Sequence, residues 1–154
     1  MNAYVDANAL VRHYLDVEKR HQLEGLLVDP KAPVSWSVPV TDLLRFGVNN
    51  AIERMVFETR NGGTARVTME MGMLAHSDFE ADLTENRFLR RTPLTLTDIE
   101  TEFDTLVRRY TAVHGFRTYD VMHVSSALKL GCKRFLSFDA KANALAKLVG
   151  LKTL

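Results

Sequence analysis

The sequence predicts one α/β domain with a mainly parallel central sheet and helices on both faces. Three observations carry that expectation. Short apolar runs of strand type alternate with helical patterns along the chain, two of those runs end at an aspartate that opens a helix, and no internal repeat, linker or low-complexity tract interrupts them. Strands that alternate with helices favour parallel pairing, because each crossover helix lies back on a face of the sheet. The length of 154 residues suits a single domain over 1–154, and folding at that size buries roughly two thirds of the surface of the unfolded chain.

Ala3-Tyr4-Val5 is the first strand-type run, and it ends at Asp6. Leu10, Val11, Tyr14 and Leu15 follow at helical spacing, with Asn8 expected as the N-cap because its short side chain accepts from free first-turn amides. A second helix is expected from His21 to Leu27, before Asp29-Pro30-Lys31 breaks the chain. Val34 to Val38 alternates apolar and polar residues as a strand does, with Pro39 at its end. Thr41 or Asp42 then caps a helix whose apolar face is Leu43, Leu44, Phe46, Val48, Ala51, Ile52 and Met55, and Gly62-Gly63 closes that segment.

Thr64 to Arg91 is expected to be helical in two pieces around Met69, Met73, Leu74, Phe79, Leu83 and Phe88. Leu94-Thr95-Leu96 is expected as a short strand, and Thr97 with Glu100 has capping-box spacing for a helix that runs to about His114 and stops at Gly115. Asp120 starts the next helix, with Val121, Val124, Ala127 and Leu128 facing inward and Gly131 as its stop. Arg134 to Phe138 is a strand ending at Asp139, Ala140 to Val149 a helix ended by Gly150, and Leu151 to Leu154 a last edge strand.

Composition narrows the function classes. The 46% hydrophobic and 25% charged residues are ordinary for a soluble, folded chain. No apolar run approaches the roughly 20 residues of a membrane span, and the N-terminus lacks the pattern of a secretory signal, so a cytoplasmic protein without a membrane partner is expected. The single cysteine, Cys132, excludes an intramolecular disulfide and is expected to be a small buried residue; no Cys/His spacing suggests zinc. A formal charge of +1 neither demands nor excludes nucleic acid, since local clusters govern phosphate contacts.

The chemistry lies in the acids. Ligands of open parallel α/β sheets gather at the carboxyl ends of the strands, where Asp6 and Asp139 fall. Asp120 stands at a helix start, which favours a carboxylate. Taken singly, each such acid is most often a cap or a loop residue. Taken together, clustered carboxylates repel one another unless a cation stands between them. Mg²⁺, and similarly Mn²⁺, accepts oxygen ligands and keeps waters. Such an ion can generate hydroxide near neutral pH and neutralise a phosphoryl group, which points to phosphodiester hydrolysis.

Three segments resemble motifs of the PIN-domain family, particularly its VapC-like toxins of bacterial and archaeal toxin–antitoxin pairs. Tyr4-Val5-Asp6-Ala7-Asn8-Ala9-Leu10-Val11 is similar to the opening motif, Tyr119-Asp120-Val121-Met122-His123-Val124-Ser125-Ser126-Ala127-Leu128 to the third, and Arg134-Phe135-Leu136-Ser137-Phe138-Asp139 to the fourth. The resemblance runs nearly end to end, and 119–154 is its most specific part. It implies a PIN-like fold and a Mg²⁺- or Mn²⁺-dependent endoribonuclease, with Asp6, Asp120 and Asp139 as metal-binding and catalytic residues. RNA as substrate, a homodimer and a cognate antitoxin in the acidic groove are implied with it. Asn8, Arg12, Arg117 and Ser137 are the substrate-binding candidates, and Arg45 is a further arginine near a motif.

The second family motif departs. Asn50-Ala51-Ile52 anchors it, and counting back places Gly47 where the family carries a Glu. Asp42 lies about 140° around the helix axis from that position, and Glu53 and Glu58 lie beyond it, so none is a simple replacement. Gly47 motivates the second reading, a degenerate module that binds RNA or a protein partner without cutting; on that reading Gly47→Glu would restore cleavage. A phosphatase with Asp6 as nucleophile ranks below both, because Asn8 stands where its second acid would be. His123 is read as a packed or hydrogen-bonded helix residue, and Met69, Met71 and Met73 as core filling or, less often, a partner surface.

Overall fold

The computed structural model describes residues 3–16, 20–23 and 37–154. The elements are β1 (Ala3–Val5), α1 (Ala7–Leu15), β2 (Val38–Val40), α2 (Asp42–Arg60), α3 (Met69–Thr84), β3 (Leu89–Arg91), α4 (Leu96–Leu106), α5 (Thr118–Lys129), β4 (Arg134–Leu136) and α6 (Ala140–Leu148). A π-helical turn over Val107–Thr111 and an α-turn over Ala112–His114 extend α4 to Gly115, whose left-handed conformation (φ 65°) ends it as expected. The expected helix from His21 to Leu27 and the run Val34 to Trp36 lie wholly or partly outside the described residues.

Among the described residues the strands form two parallel pairs, β1 with β4 and β2 with β3. The expected parallel α/β architecture holds, while the single ladder is divided. β1 and β2 lie beside each other without a ladder between them. Pro39 explains part of this. It occupies the middle of β2 rather than its end; Val38 donates to Phe88 O (2.8 Å) and Val40 O accepts from Thr92 (2.9 Å), so β2 bonds to its partner on both sides of the residue that has no N–H. The helices form two packed groups, with α1, α2 and α3 touching one another and α5 touching both α4 and α6.

The core is aromatic at its centre. Tyr4 of β1 stacks on Phe135 of β4, with centroids 5.9 Å apart and rings 3° from parallel, and both are fully buried. Phe79, Leu10, Leu44, Ile52 and Leu145 bring the surrounding helices onto these strands. Cys132 is buried as expected.

Several boundaries differ from the sequence reading, each for a local reason. Asp6, not Asn8, caps α1: its Oδ1 accepts from Ala9 N at 3.0 Å, and Asn8 is left free to accept from Phe138 N at 3.0 Å. Thr41 rather than Asp42 caps α2. Thr64 to Arg91 holds one helix and then strand β3, not two helical pieces. Leu94-Thr95-Leu96 is not a strand, since the capping box forms two residues earlier than expected: Thr95 N donates to Asp98 Oδ2 at 2.7 Å and Asp98 N to Thr95 Oγ1 at 3.2 Å. β4 ends at Leu136, and the final edge strand reduces to an isolated bridge between Arg134 and Lys152. Met69, Met71 and Met73 are not core filling. They stand exposed on α3 with Leu74, while Gly72, Ala75 and Phe79 turn inward.

The shifted capping box is testable. Thr95→Ala is expected to cost about 1 kcal/mol and lower the melting temperature by several degrees, whereas Thr97→Ala stays within about 0.5 kcal/mol. Thermal melts showing the reverse order would place the box where the sequence reading put it.

Candidate active site

A cleft of about 610 Å³ opens where β1, β4 and the start of α5 meet α2, and Asp6, Asp120 and Asp139 all line it. Each acid arrives by a different route. Asp6 ends β1 and caps α1, and its amide donates to Leu136 O at 3.0 Å, which ties it to the end of β4. Asp139 follows β4 and caps α6, its Oδ1 accepting from Lys141 N (2.8 Å) and Ala142 N (3.2 Å). Asp120 occupies the first turn of α5.

Two residues brace the acids. Ser137 is buried, accepts from Asp139 N at 2.9 Å through its hydroxyl, and hydrogen-bonds to the Asp6 carboxylate. Asn8, through its bond to Phe138 N, joins the start of α1 to the turn before α6. These contacts make Asn8 and Ser137 positioning residues for the acids. Asn8 also lines the cleft, so its expected contact with substrate stays open to it.

Arg117 dominates the electrostatics. Its Nε donates to Asp120 Oδ2 (3.0 Å), and its Nη2 donates both to Asp120 Oδ1 (3.0 Å) and to Asp139 Oδ2 (2.6 Å). Its backbone N–H adds a 3.1 Å bond to Asp120 Oδ2. The guanidinium thus stands between two of the three carboxylates, and those bonds hold it still more firmly protonated than an ordinary arginine. Burial acts to raise Asp139, but the amide of Ala142, Arg117 and the amide of Lys141 outweigh it and leave that carboxyl below its usual range.

Asp6 is the strained charge. Burial pushes it from near 3.8 to about 6, with Asp139 adding to the rise, while Ser137 and the amides of Ala9 and Asn8 oppose it. His123 also lines the cleft, packed as expected: it is buried, shares a 2.9 Å hydrogen bond with the Tyr4 hydroxyl, and burial lowers it to about 4, which keeps it neutral. Of the other arginines, Arg12 pairs with Asp16 at 3.4 Å and Arg45 with Glu80 at 3.0 Å; neither lines the cleft.

Gly47 lines the cleft beside Ala7. A Cβ added there would fall 2.9 Å from the Cβ of Ala7, so α1 and α2 approach more closely than two side chains allow. A Glu at this position therefore requires the two helices to part. Gly47→Glu is accordingly not the simple restoration that the sequence suggested. One feature was not anticipated, the two-carboxylate grip of Arg117. Phe46, expected on the apolar face of α2, instead points outward at the cleft, where it and Tyr119 form an aromatic rim, 61% and 66% exposed. The three-residue spacing from Arg117 to Asp120, one helical turn, was the available signal for the grip.

Among the described residues no three acid, histidine or cysteine side chains are gathered closely enough to form a ready metal site. The donor set nevertheless suits a hard divalent ion in kind, being carboxylate oxygens around one solvent-filled cleft, and the cation now placed between Asp120 and Asp139 is Arg117.

The position of Asp6 has a pH consequence. A carboxyl that binds its proton more tightly when folded stabilises the fold less as pH rises from about 3.8 to about 6, and the full cost persists above that. In EDTA, Asp6→Asn is expected to melt higher than the parent at pH 7, by a margin on the order of 2–3 kcal/mol in stability, and to match it near pH 4. Equal margins at both pH values would show that Asp6 carries no such burden.

Comparison with solved structures finds similarity to the crystal structure of VapC20 of Mycobacterium tuberculosis, described as a toxin that cleaves the sarcin–ricin loop. The TM-score is 0.60 at 16% sequence identity, over 93% of this chain and 94% of that one. No curated protein sequence matches the chain. A family profile described as the PIN domain matches residues 3–148, which include all three acids, and the chain belongs to the PIN domain family.

Proposed function

We propose that this protein is an endoribonuclease of the VapC-like toxin type that works with Mg²⁺ or Mn²⁺ held by Asp6, Asp120 and Asp139. The observation that carries the reading is the convergence of three acids, from two strand ends and one helix start, on a single cleft. When bound there, a divalent ion supplies a water acidified to hydroxide and neutralises charge on the phosphoryl group. The similarity to the structure of a sarcin–ricin-loop-cleaving toxin supports RNA as the substrate class.

The rest is the work of the chain's own residues. Ser137 and Asn8 hold the Asp6 and Asp139 turns in register, so the carboxylates are oriented before any ligand arrives. The neutral His123, bonded to Tyr4, fixes the first turns of α5 behind Asp120. The exposed rings of Phe46 and Tyr119 offer stacking faces to unpaired bases beside the acids, which favours single-stranded RNA or loops. A homodimer, a cognate antitoxin that covers the cleft, and a cytoplasmic location complete the proposal. No described helix is long and apolar enough to cross a membrane.

Gly47 supports a second reading, a module that binds RNA without cutting it, because the family's fourth acid is absent and its space is closed by Ala7. Cleavage of a single-stranded RNA pool separates the two. The parent protein with Mn²⁺ or Mg²⁺ is expected to cut; Asp6→Asn, Asp120→Asn and an EDTA control are each expected to lose at least about 100-fold in rate. Binding without cleavage by folded parent protein would favour the module, and cleavage unchanged in Asp120→Asn would remove that residue from the mechanism.

A further inference from the structure

We propose that Arg117 is a latch on the acid cleft: its guanidinium and a divalent ion compete for Asp120 and Asp139, and the guanidinium that the ion displaces becomes the group that holds an RNA phosphate. This rests on the cation-dependent RNA reading above and adds the residue that couples the two ligands.

The argument starts from oxygen occupancy. Both carboxylate oxygens of Asp120 accept from the Arg117 side chain, and Asp139 Oδ2 accepts from the same Nη2 while its Oδ1 is held by two α6 amides. An ion seeking Asp120 and Asp139 therefore meets oxygens already committed to a cation. The two partners differ in freedom. The Asp120 side chain is 8% exposed and stays oriented by the Arg117 backbone N–H even without the guanidinium, whereas the Arg117 side chain is 61% exposed. The acids are fixed and the arginine is the part that can leave.

Charge favours the exchange. Asp6, Asp120 and Asp139 face one guanidinium, so three carboxylates share a single positive charge and a divalent ion offsets more of their negative charge. The released guanidinium remains tethered at the N-cap of α5, on the rim of the same cleft. Its planar fork suits a phosphate as well as it suits a carboxylate. With the latch closed the cleft offers RNA mostly negative charge; with the latch open it offers an ion and a free arginine. Ion and RNA then strengthen each other's binding by the same factor.

Mn²⁺ binding measured by calorimetry, without RNA, on the parent protein, Arg117→Gln and Arg117→Lys tests the competition directly. Arg117→Gln is expected to bind Mn²⁺ at least about tenfold more tightly than the parent, and Arg117→Lys to fall between them, because a point charge cannot grip both acids as the fork does. Anisotropy of a 2′-O-methyl RNA oligonucleotide gives the second half: Mn²⁺ is expected to tighten binding to the parent by about tenfold and to the Gln variant by far less. Melting curves establish that each variant is folded, and if Arg117→Gln is not, Arg117→Lys carries the test. Equal or weaker Mn²⁺ binding by folded variants would overturn the latch while leaving the cation site intact, and would leave Arg117 a structural clamp. No Mn²⁺ binding by any of the three proteins would overturn the cation reading and the latch with it.

Discussion

The parallel pairing of β1 with β4 decides where every charged group of the cleft stands. Val5 lies opposite Leu136, and the next amide, that of Asp6, still bonds to Leu136 O. Both strands therefore release their chains at the same edge, and a helix-capping acid follows each of them. The stacked pair Tyr4 and Phe135 lies in that ladder, so a fully buried part of the core and the position of the acids rest on one register. Because side chains alternate across a strand, a slip of one residue would turn these rings and the following turns to the wrong face.

Gathering acids is electrostatically costly, and the structure meets the cost in different ways at each one. Asp139 is stabilised as an anion by two amides and Arg117, and Asp120 accepts hydrogen bonds from the same arginine. Asp6 has amides and Ser137 but no arginine bond, and it keeps a raised affinity for its proton. The uncompensated charge is thus localised on the acid that lies deepest, against the β1–β4 pair. At Gly47 the chain carries no side chain and uses the space for contact between α1 and α2. Fewer negative charges and a tethered positive one point the same way: the cleft is arranged to be tolerable with Arg117 as its cation.

Much of this was legible in the sequence where chain topology does the placing. Acids at strand ends of an alternating α/β chain lie at one edge of the sheet, which is why local pattern made Asp6 and Asp139 candidates that the family resemblance then singled out. The capping choices were less legible. Asp6 and Asn8 are both competent caps, as are the Thr95–Asp98 and Thr97–Glu100 pairs, and the choice depends on where the preceding strand stops and on what else the spare side chain can bond. Pro39 argued for a strand end because only an unpaired side of a ladder tolerates it, and that side is a property of the assembled sheet. The close contact of Gly47 with Ala7 and the reach of Arg117 to Asp139 join residues far apart in sequence, and no periodicity reports such distances. The methionines of α3 were misjudged because spacing shows which residues share a helix face, not whether a neighbour covers it.

The central claim is that one cleft brings Asp6, Asp120 and Asp139 to a common cation. Anomalous scattering from crystals grown with Mn²⁺ tests it most directly. The account predicts a manganese peak in contact with carboxylate oxygens of all three residues, with the Arg117 guanidinium moved off Asp120 and Asp139. Manganese bound elsewhere on the chain, with Arg117 still bridging the two acids, would contradict it.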